Sequence, residues 1–256
     1  MDSDKVLDLN SDLGESFGNY EMGFDDEIMR VISSANIACG FHASDPMVMR
    51  RTVREAAKLG VSIGAHTSYP DLVGFGRRKM DLTPEEIVND LIYQVGALHM
   101  FCVVEGTRLN HVKAHGAIYN TAVNHEPTAR GLVDGMKTLD MDLFFYLPAG
   151  TDLLGMAREA GLNAVAEAFA DRLYDDEGNL VSRRIPGSVF EDPERAASQA
   201  EEIALHGRVT TQSGKTIPME ADSICVHGDS RTSLEISRAV HRRLVDAGVR
   251  IQAPGR

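Results

Sequence analysis

Alternation along the chain limits its fold more than any other feature. Short apolar runs read as strands at residues 6–10, 37–40, 61–65, 110–114, 143–147, 164–167 and 223–226, and amphipathic stretches lie between most of them. A strand that is followed by a helix must cross over before the next strand, and such crossovers build parallel sheets. About seven strands within 256 residues suit one closed α/β barrel better than two separate sheets. The expectation is a single (β/α) barrel of about seven parallel strands, in one domain spanning residues 1–256.

The helix signals are local. Thr83-Pro84-Glu85-Glu86 supplies an N-cap, a proline at the first helical position and the glutamate of a capping box. Ile87, Leu91, Val95 and Leu98 then recur at helical spacing. Asp45-Pro46 and Asp192-Pro193 open two further helices. Ile236, Val240 and Leu244 mark the last one, with Thr232 and Glu235 spaced as a capping box and Gly248 as its stop. Residues 175–189 and 208–220 break the alternation with turn-rich sequence and read as loop insertions or hairpins.

Charge and cysteine usage narrow the class. Lys and Arg number 26 against 38 Asp and Glu, a net charge of −12 that repels a phosphate backbone and argues against nucleic acid as a partner. Cys39, Cys102 and Cys225 are an odd number without C-x-x-C spacing, so the expected compartment is reducing; Cys39 and Cys225 read as small buried hydrophobes. The acidic stretch MDSDKVLDLN enters a strand directly and lacks the pattern of a signal peptide. Uninterrupted apolar stretches, such as that within 142–147, fall short of the roughly 18 residues of a spanning helix. A cytoplasmic protein without a membrane segment is expected.

The residues just after each strand carry the chemistry. Asp12 and Glu15 follow the first run, His42 the second, His66 the third, and Lys113 with His115 stand in and after the fourth. The sixth ends in Glu167 with Asp171-Arg172 beyond it, and the last ends in His227-Gly228-Asp229. In an α/β barrel all these positions reach the carboxyl rim, where active sites are built. Asp45 reads first as an N-cap and Asp71 as a turn residue, while Asp229 reads equally as cap or site residue. His99, His125, His206 and His241 read as ordinary histidines, and His111 and His115 lack the glutamate of H-E-x-x-H. Asp12, His42, His66 and His115 have no capping or turn duty, and carboxylates and imidazoles at one rim serve as acid and base or bind a divalent cation. Lys113 alternates onto the inward face of its strand, where an ammonium needs a carboxylate partner from Asp12, Glu15 or Glu167. The basic run 75–79, with Arg77 and Arg78, reads either as a solvated loop or as an anion clamp in an otherwise acidic chain. Neither G-x-x-x-x-G-K-[ST] nor a helix-opening G-x-G-x-x-G occurs, so ATP has no ordinary P-loop here.

The same clusters carry a resemblance. D-L-N-S-D-L-G-E (8–15), A-N-I-A-C-G-F-H-A-S-D-P (35–46), G-A-H-T-S-Y-P-D (64–71), G-F-G-R-R (74–78), V-K-A-H-G-A-I-Y-N (112–120), F-A-D-R (169–172) and I-C-V-H-G-D (224–229) resemble the LamB/YcsF family over nearly the whole chain. Ser44 stands where that family usually has Gly, and Thr67 and Ala114 where it has Pro. The resemblance implies a barrel similar to the glycoside hydrolase/deacetylase group. It also implies the A subunit of an ATP-hydrolysing 5-oxoprolinase, which acts with B and C subunits to convert the lactam 5-oxo-L-proline to L-glutamate while ATP gives ADP and phosphate. On this reading Asp12, Glu15, His42, His66, Lys113, His115 and Glu167 are the catalytic candidates. Asn10, Arg77, Arg78, Asp171, Arg172, His227 and Asp229 are candidates for substrate or phosphate binding. Asp12, His66 and His115 are the candidate ligands of a divalent metal, and ATP is bound by or shared with the partner subunits. Two other readings fit the same residues: a metal-dependent amide deacetylase, which would act without ATP, and a non-catalytic subunit that presents substrate to a partner enzyme.

Overall fold

The computed structural model describes residues 5–228 and 232–256. Six parallel strands follow one another around the molecule: β1 (Val6–Leu13), β2 (Ser34–Ala38), β3 (Ser62–Thr67), β4 (Leu109–Ala114), β5 (Phe144–Pro148) and β6 (Asn163–Phe169). A short antiparallel hairpin, β7 (Arg208–Thr210) with β8 (Thr216–Pro218), stands outside them, as the turn-rich 208–220 segment predicts. β9 (Ser223–His227) then pairs with both β6 and β1 and closes a seven-stranded parallel barrel. β10 (Arg250–Ile251) adds a parallel pairing at Val6 and Leu7.

Eight helices are formed by the described residues: α1 (Asp25–Ile28), α2 (Pro46–Leu59), α3 (Pro84–Val104), α4 (Ala117–Asn124), α5 (Glu126–Leu139), α6 (Asp152–Glu159), α7 (Pro193–His206) and α8 (Ser233–Asp246). The expected starts hold at three of them. Asp45 accepts from Met47 N and Val48 N at 2.8 and 3.1 Å, Asp192 accepts from Glu194 N, and Thr83 with Glu86 forms a complete capping box. Thr232 makes no capping hydrogen bond to α8, so the second expected box is not formed.

Within α3 an 18-residue window has a mean hydropathy of 1.5, long and apolar enough by composition to cross a bilayer. The sequence hides this because Gln94, Gly96 and His99 interrupt the apolar run. Here α3 packs on α5, β3 and β4, and buries Ile87, Leu91, Val95, Leu98 and Cys102 against the barrel wall.

Strand boundaries depart from the apolar runs for one physical reason: the barrel interior is polar. β1 extends through Ser11, Asp12 and Leu13, and β2 begins at Ser34 rather than Ile37. Outward residues such as Leu7, Leu9, Ile37, Val112, Phe145 and Val226 form the apolar layer beneath the helices. Their inward neighbours form a hydrogen-bonded column. At its base Asp8 accepts from the hydroxyls of Ser33, Ser34, Tyr146 and Ser223 at 2.5–2.9 Å. Burial pushes the Asp8 carboxyl up in spite of these donors. One layer higher, Asn10 Nδ2 donates to Glu167 and Ser223, and Asn36 Nδ2 donates to Asn10 and Asp12. His111 fills the middle beside Tyr146, over Gly64, where any Cβ would overlap its ring.

Candidate active site

The column ends at the carboxyl rim in a cluster of ionisable groups. Lys113 enters the barrel from β4, as its alternation predicts. Its Nζ lies 2.9 Å from Asp12 Oδ1, 2.8 Å from Glu167 Oε1 and 3.1 Å from Cys225 Sγ. Burial works against an ammonium here, but Asp12, Cys225 and Glu167 outweigh it and hold the amine well above the usual lysine range. Burial likewise opposes the Asp12 carboxylate, yet His66 and Lys113 hold it well below the usual range. Glu167 also accepts from the hydroxyl of Tyr119 at 2.8 Å.

Beside Asp12 stand three imidazoles. His66 Nδ1 donates to the Lys113 carbonyl at 3.2 Å, and His115 Nε2 donates to the Phe75 carbonyl at 2.9 Å. A carbonyl only accepts, so each of these two nitrogens carries a hydrogen. His66 Nε2 and His115 Nδ1 are left facing each other at 3.0 Å, with Asp12 Oδ2 3.2 Å from His66 Nε2. His42 stacks on His115 with ring centroids 3.8 Å apart and donates from Nε2 to Glu15 Oε1 at 3.2 Å. Burial and the neighbouring rings push His42 and His115 well below the usual histidine range, so both are neutral. The loop from Asp71 to Arg78 closes over them. Gly76 (φ +64) is required there, because a Cβ would strike Ser68 Oγ and press on both His42 and His115.

A cleft of about 390 Å³ opens in front of this cluster. Asp12, His66, Lys113, His115 and His227 line it together with the guanidinium groups of Arg77, Arg172 and Arg183. Arg172 is buried, its Nη2 donating to the Val181 carbonyl at 2.6 Å and its Nε without a hydrogen-bond partner. Burial and the Arg183 guanidinium push Arg172 down to about 10. A neighbouring cleft of about 680 Å³ shares Tyr119, Asn120, Phe169 and Leu180 with the first and reaches Glu167. Among the described residues, two groups of side chains bring metal-ligating atoms within 4.8 Å of one another: Glu15, His42, His66 and His115, and Asp12, Cys225 and His227.

The sequence candidates thus divide by position. Asp12, His66, Arg77, Lys113, His115, Arg172 and His227 line the cleft, and Glu167 stands between the two clefts. Glu15 and His42 lie behind the histidines, and Asp171 lies behind His227, accepting from its Nδ1 at 3.0 Å. Two assignments need correction. Asn10 sits fully buried one layer below the cleft, so it positions Glu167 and touches no ligand. Arg78 turns away from the cleft, its side chain 66% exposed and committed to Asp71, which also accepts from Gly74 N at 2.9 Å. Asp229 lies outside the described residues. Sequence reasoning missed Tyr119, Arg183 and the polar role of Cys225. Tyr119 could have been found, since it lies two residues beyond His115-Gly116-Ala117 in the V-K-A-H-G-A-I-Y-N motif. Arg183 belongs to a loop insertion without periodicity.

Comparison with known proteins agrees with this geometry. Residues 7–256 match the model of the LamB/YcsF family. A protein of Pyrococcus furiosus, named as the A subunit of 5-oxoprolinase, is 49% identical over 249 residues, covering 97% of this chain and 98% of the relative. One of Acinetobacter baumannii with the same name is 48% identical over 246 residues, covering 96% and 97%. The crystal structure of a lactam utilization protein from Thermus thermophilus superposes with a TM-score of 0.91 at 44% identity, covering 97% of this chain and 99% of that one. The chain therefore belongs to the LamB/YcsF family.

Proposed function

We propose that this chain is the A subunit of an ATP-dependent 5-oxoprolinase, opening 5-oxo-L-proline to L-glutamate while ATP is hydrolysed to ADP and phosphate. The observation that carries the reading is a single cleft lined both by the acid–base groups Asp12, His66, Lys113 and His115 and by the cations Arg77, Arg172 and Arg183. The names and near-complete coverage of the relatives support it.

The chemistry explains both sets of residues. A five-membered lactam is a resonance-stabilised amide whose amine and carbonyl stay tethered after opening and reclose at high effective molarity. Transfer of the terminal phosphoryl group of ATP to the amide oxygen releases ADP and makes the ring carbon electrophilic. Water adds to that carbon and gives up a proton. The C–N bond then breaks as nitrogen takes a proton, leaving an acyl phosphate that a second water hydrolyses to glutamate and phosphate. Asp12, held ionised beside His66 and Lys113 and lining the cleft, is placed to take the proton from water. Lys113 and the three arginines offset the charge of the phosphoryl group and of the substrate carboxylate. Glu167 holds Lys113 and Tyr119 in place.

With no P-loop on this chain, ATP is bound by or shared with B and C partner subunits. Glutamate release from 5-oxoproline and ATP, measured with this chain alone and with those partners, tests the reading. Turnover is expected only in the mixture. Amide hydrolysis by the single chain without ATP would replace it with the deacetylase reading, and full turnover of a mixture carrying Asp12→Ala, His66→Ala and His115→Ala would leave only a substrate-presenting role.

A further inference from the structure

We infer that His66, His115 and Glu15 form a binding site for one first-row divalent transition-metal ion of the Zn²⁺ and Co²⁺ class, with His42 as a positioning residue. The geometry of the donor atoms carries this. His66 Nε2 and His115 Nδ1 are 3.0 Å apart, His115 Nδ1 is 3.7 Å from Glu15 Oε1, and all lie within 4.8 Å of one another. Metal–nitrogen bonds of about 2.0–2.1 Å, at angles near 90–110°, place neighbouring ligand atoms about 3.0–3.4 Å apart, so the site needs only a small contraction.

The outer hydrogen bonds point the same way. The far nitrogen of each histidine is committed to a backbone carbonyl, which leaves the inner nitrogens facing each other at 3.0 Å. That is how proteins orient ligating imidazoles. Two lone pairs at this separation repel unless a positive charge lies between them. The Phe75 carbonyl is held in place at the cost of backbone strain, since Phe75 has φ +55, a conformation that non-glycine residues rarely adopt. Its ring also meets the edges of His42 and His115 at 5.4 and 5.1 Å. His42 steadies Glu15 through its 3.2 Å hydrogen bond and supports His115 by stacking.

Charge balance supplies a third reason. Asp12, Glu15 and Glu167 are all buried within this region, and Lys113 is the ammonium set among them. The Glu15 carboxylate gives a dication here the anionic ligand that two neutral imidazoles lack. The alternative cluster of Asp12, Cys225 and His227 is unsuitable, because the Lys113 ammonium already lies 2.9 Å from Asp12 and 3.1 Å from Cys225 Sγ. Two imidazoles and one carboxylate, without thiolate, favour Zn²⁺ or Co²⁺ over Mg²⁺ or Ca²⁺, which prefer oxygen.

Titration of the chelator-stripped full chain with Co²⁺, followed by visible absorption and by competition with Zn²⁺, tests the site without any measurement of turnover. One Co²⁺ per chain is expected, with d–d bands and no sulfur-to-cobalt charge-transfer band. His66→Gln and Glu15→Gln, checked for native circular dichroism, should each weaken binding more than about tenfold. Cys225→Ser should leave the spectrum unchanged. Failure of the wild-type chain to take up either ion would overturn the inference, leaving a shared proton between the two histidines. Unchanged affinity in both folded variants, or a charge-transfer band that vanishes in Cys225→Ser, would overturn it as well.

Discussion

Lys113 is the most legible site residue, because strand alternation alone sends its side chain into the barrel, where an ammonium must find carboxylates. The sequence offers Asp12, Glu15 and Glu167 as partners, and the fold joins it to the first and the last. Lys113→Met keeps the stem but removes the charge that holds Asp12 ionised, so the Asp12 carboxyl rises. Turnover should fall by about 10²–10³-fold, and the acidic limb of the residual pH–rate profile should move to higher pH. An unshifted limb would separate Asp12 from the rate. Arg183 is illegible for the opposite reason: it lies in an aperiodic loop, where its position demands no polar partner. Ser44 shows what a departure from the family pattern means physically. Its φ is +73, a backbone conformation that glycine adopts without strain, which accounts for the family's usual Gly. Ser44→Gly should raise stability by up to about 1 kcal/mol in denaturant titration, relief of strain exceeding the added freedom of the unfolded chain.

All seven barrel strands are legible as elements, but their ends are not. An apolar run marks the outward face of a strand, and here the inward face carries Asp8, Asn10, Asp12, Ser34, Asn36 and His111. Sequence patterning reads such residues as loop, so β1 and β2 extend beyond their predicted bounds. His111 makes this interior pH-sensitive. Burial, with Lys113 and His66 nearby, pushes its imidazole down to about 3 from an ordinary 6.5. The unfolded chain therefore binds a proton below pH 6.5 that the folded chain refuses. Stability from this group is complete above pH 6.5 and drains as pH falls towards 3, by about 2 kcal/mol between pH 6.5 and 5. His42 and His115 act in the same sense. Asp25, pushed up to about 6 by burial, acts in the opposite sense and loses stability as pH rises. Denaturant midpoints of the wild type and His111→Gln at pH 7 and 5 isolate the share of His111. The variant should show the shallower dependence, and equal slopes would refute the assignment.

At the scale of the whole molecule, the barrel closes only when β9, near the end of the chain, reaches β1 at its start. Ser223 and Asp8 are 215 residues apart in sequence, and Lys113 and Asp12 are 101 apart. Bringing such distant segments together is entropically slow, and it must be nearly finished before the interior charges lose their water. Until then Asp12, Glu167 and Lys113 are hydrated ions with little reason to pair. The ion contacts thus belong to the far side of the folding barrier. Breaking a buried pair costs about 3–5 kcal/mol, and in Lys113→Met that loss should enter almost wholly as faster unfolding, with the refolding rate nearly unchanged. Stopped-flow measurement of both chevron arms decides this, and a loss carried by the refolding arm would place closure before the barrier. The polar column then governs how long the closed barrel survives once made, and has little say in how quickly it forms.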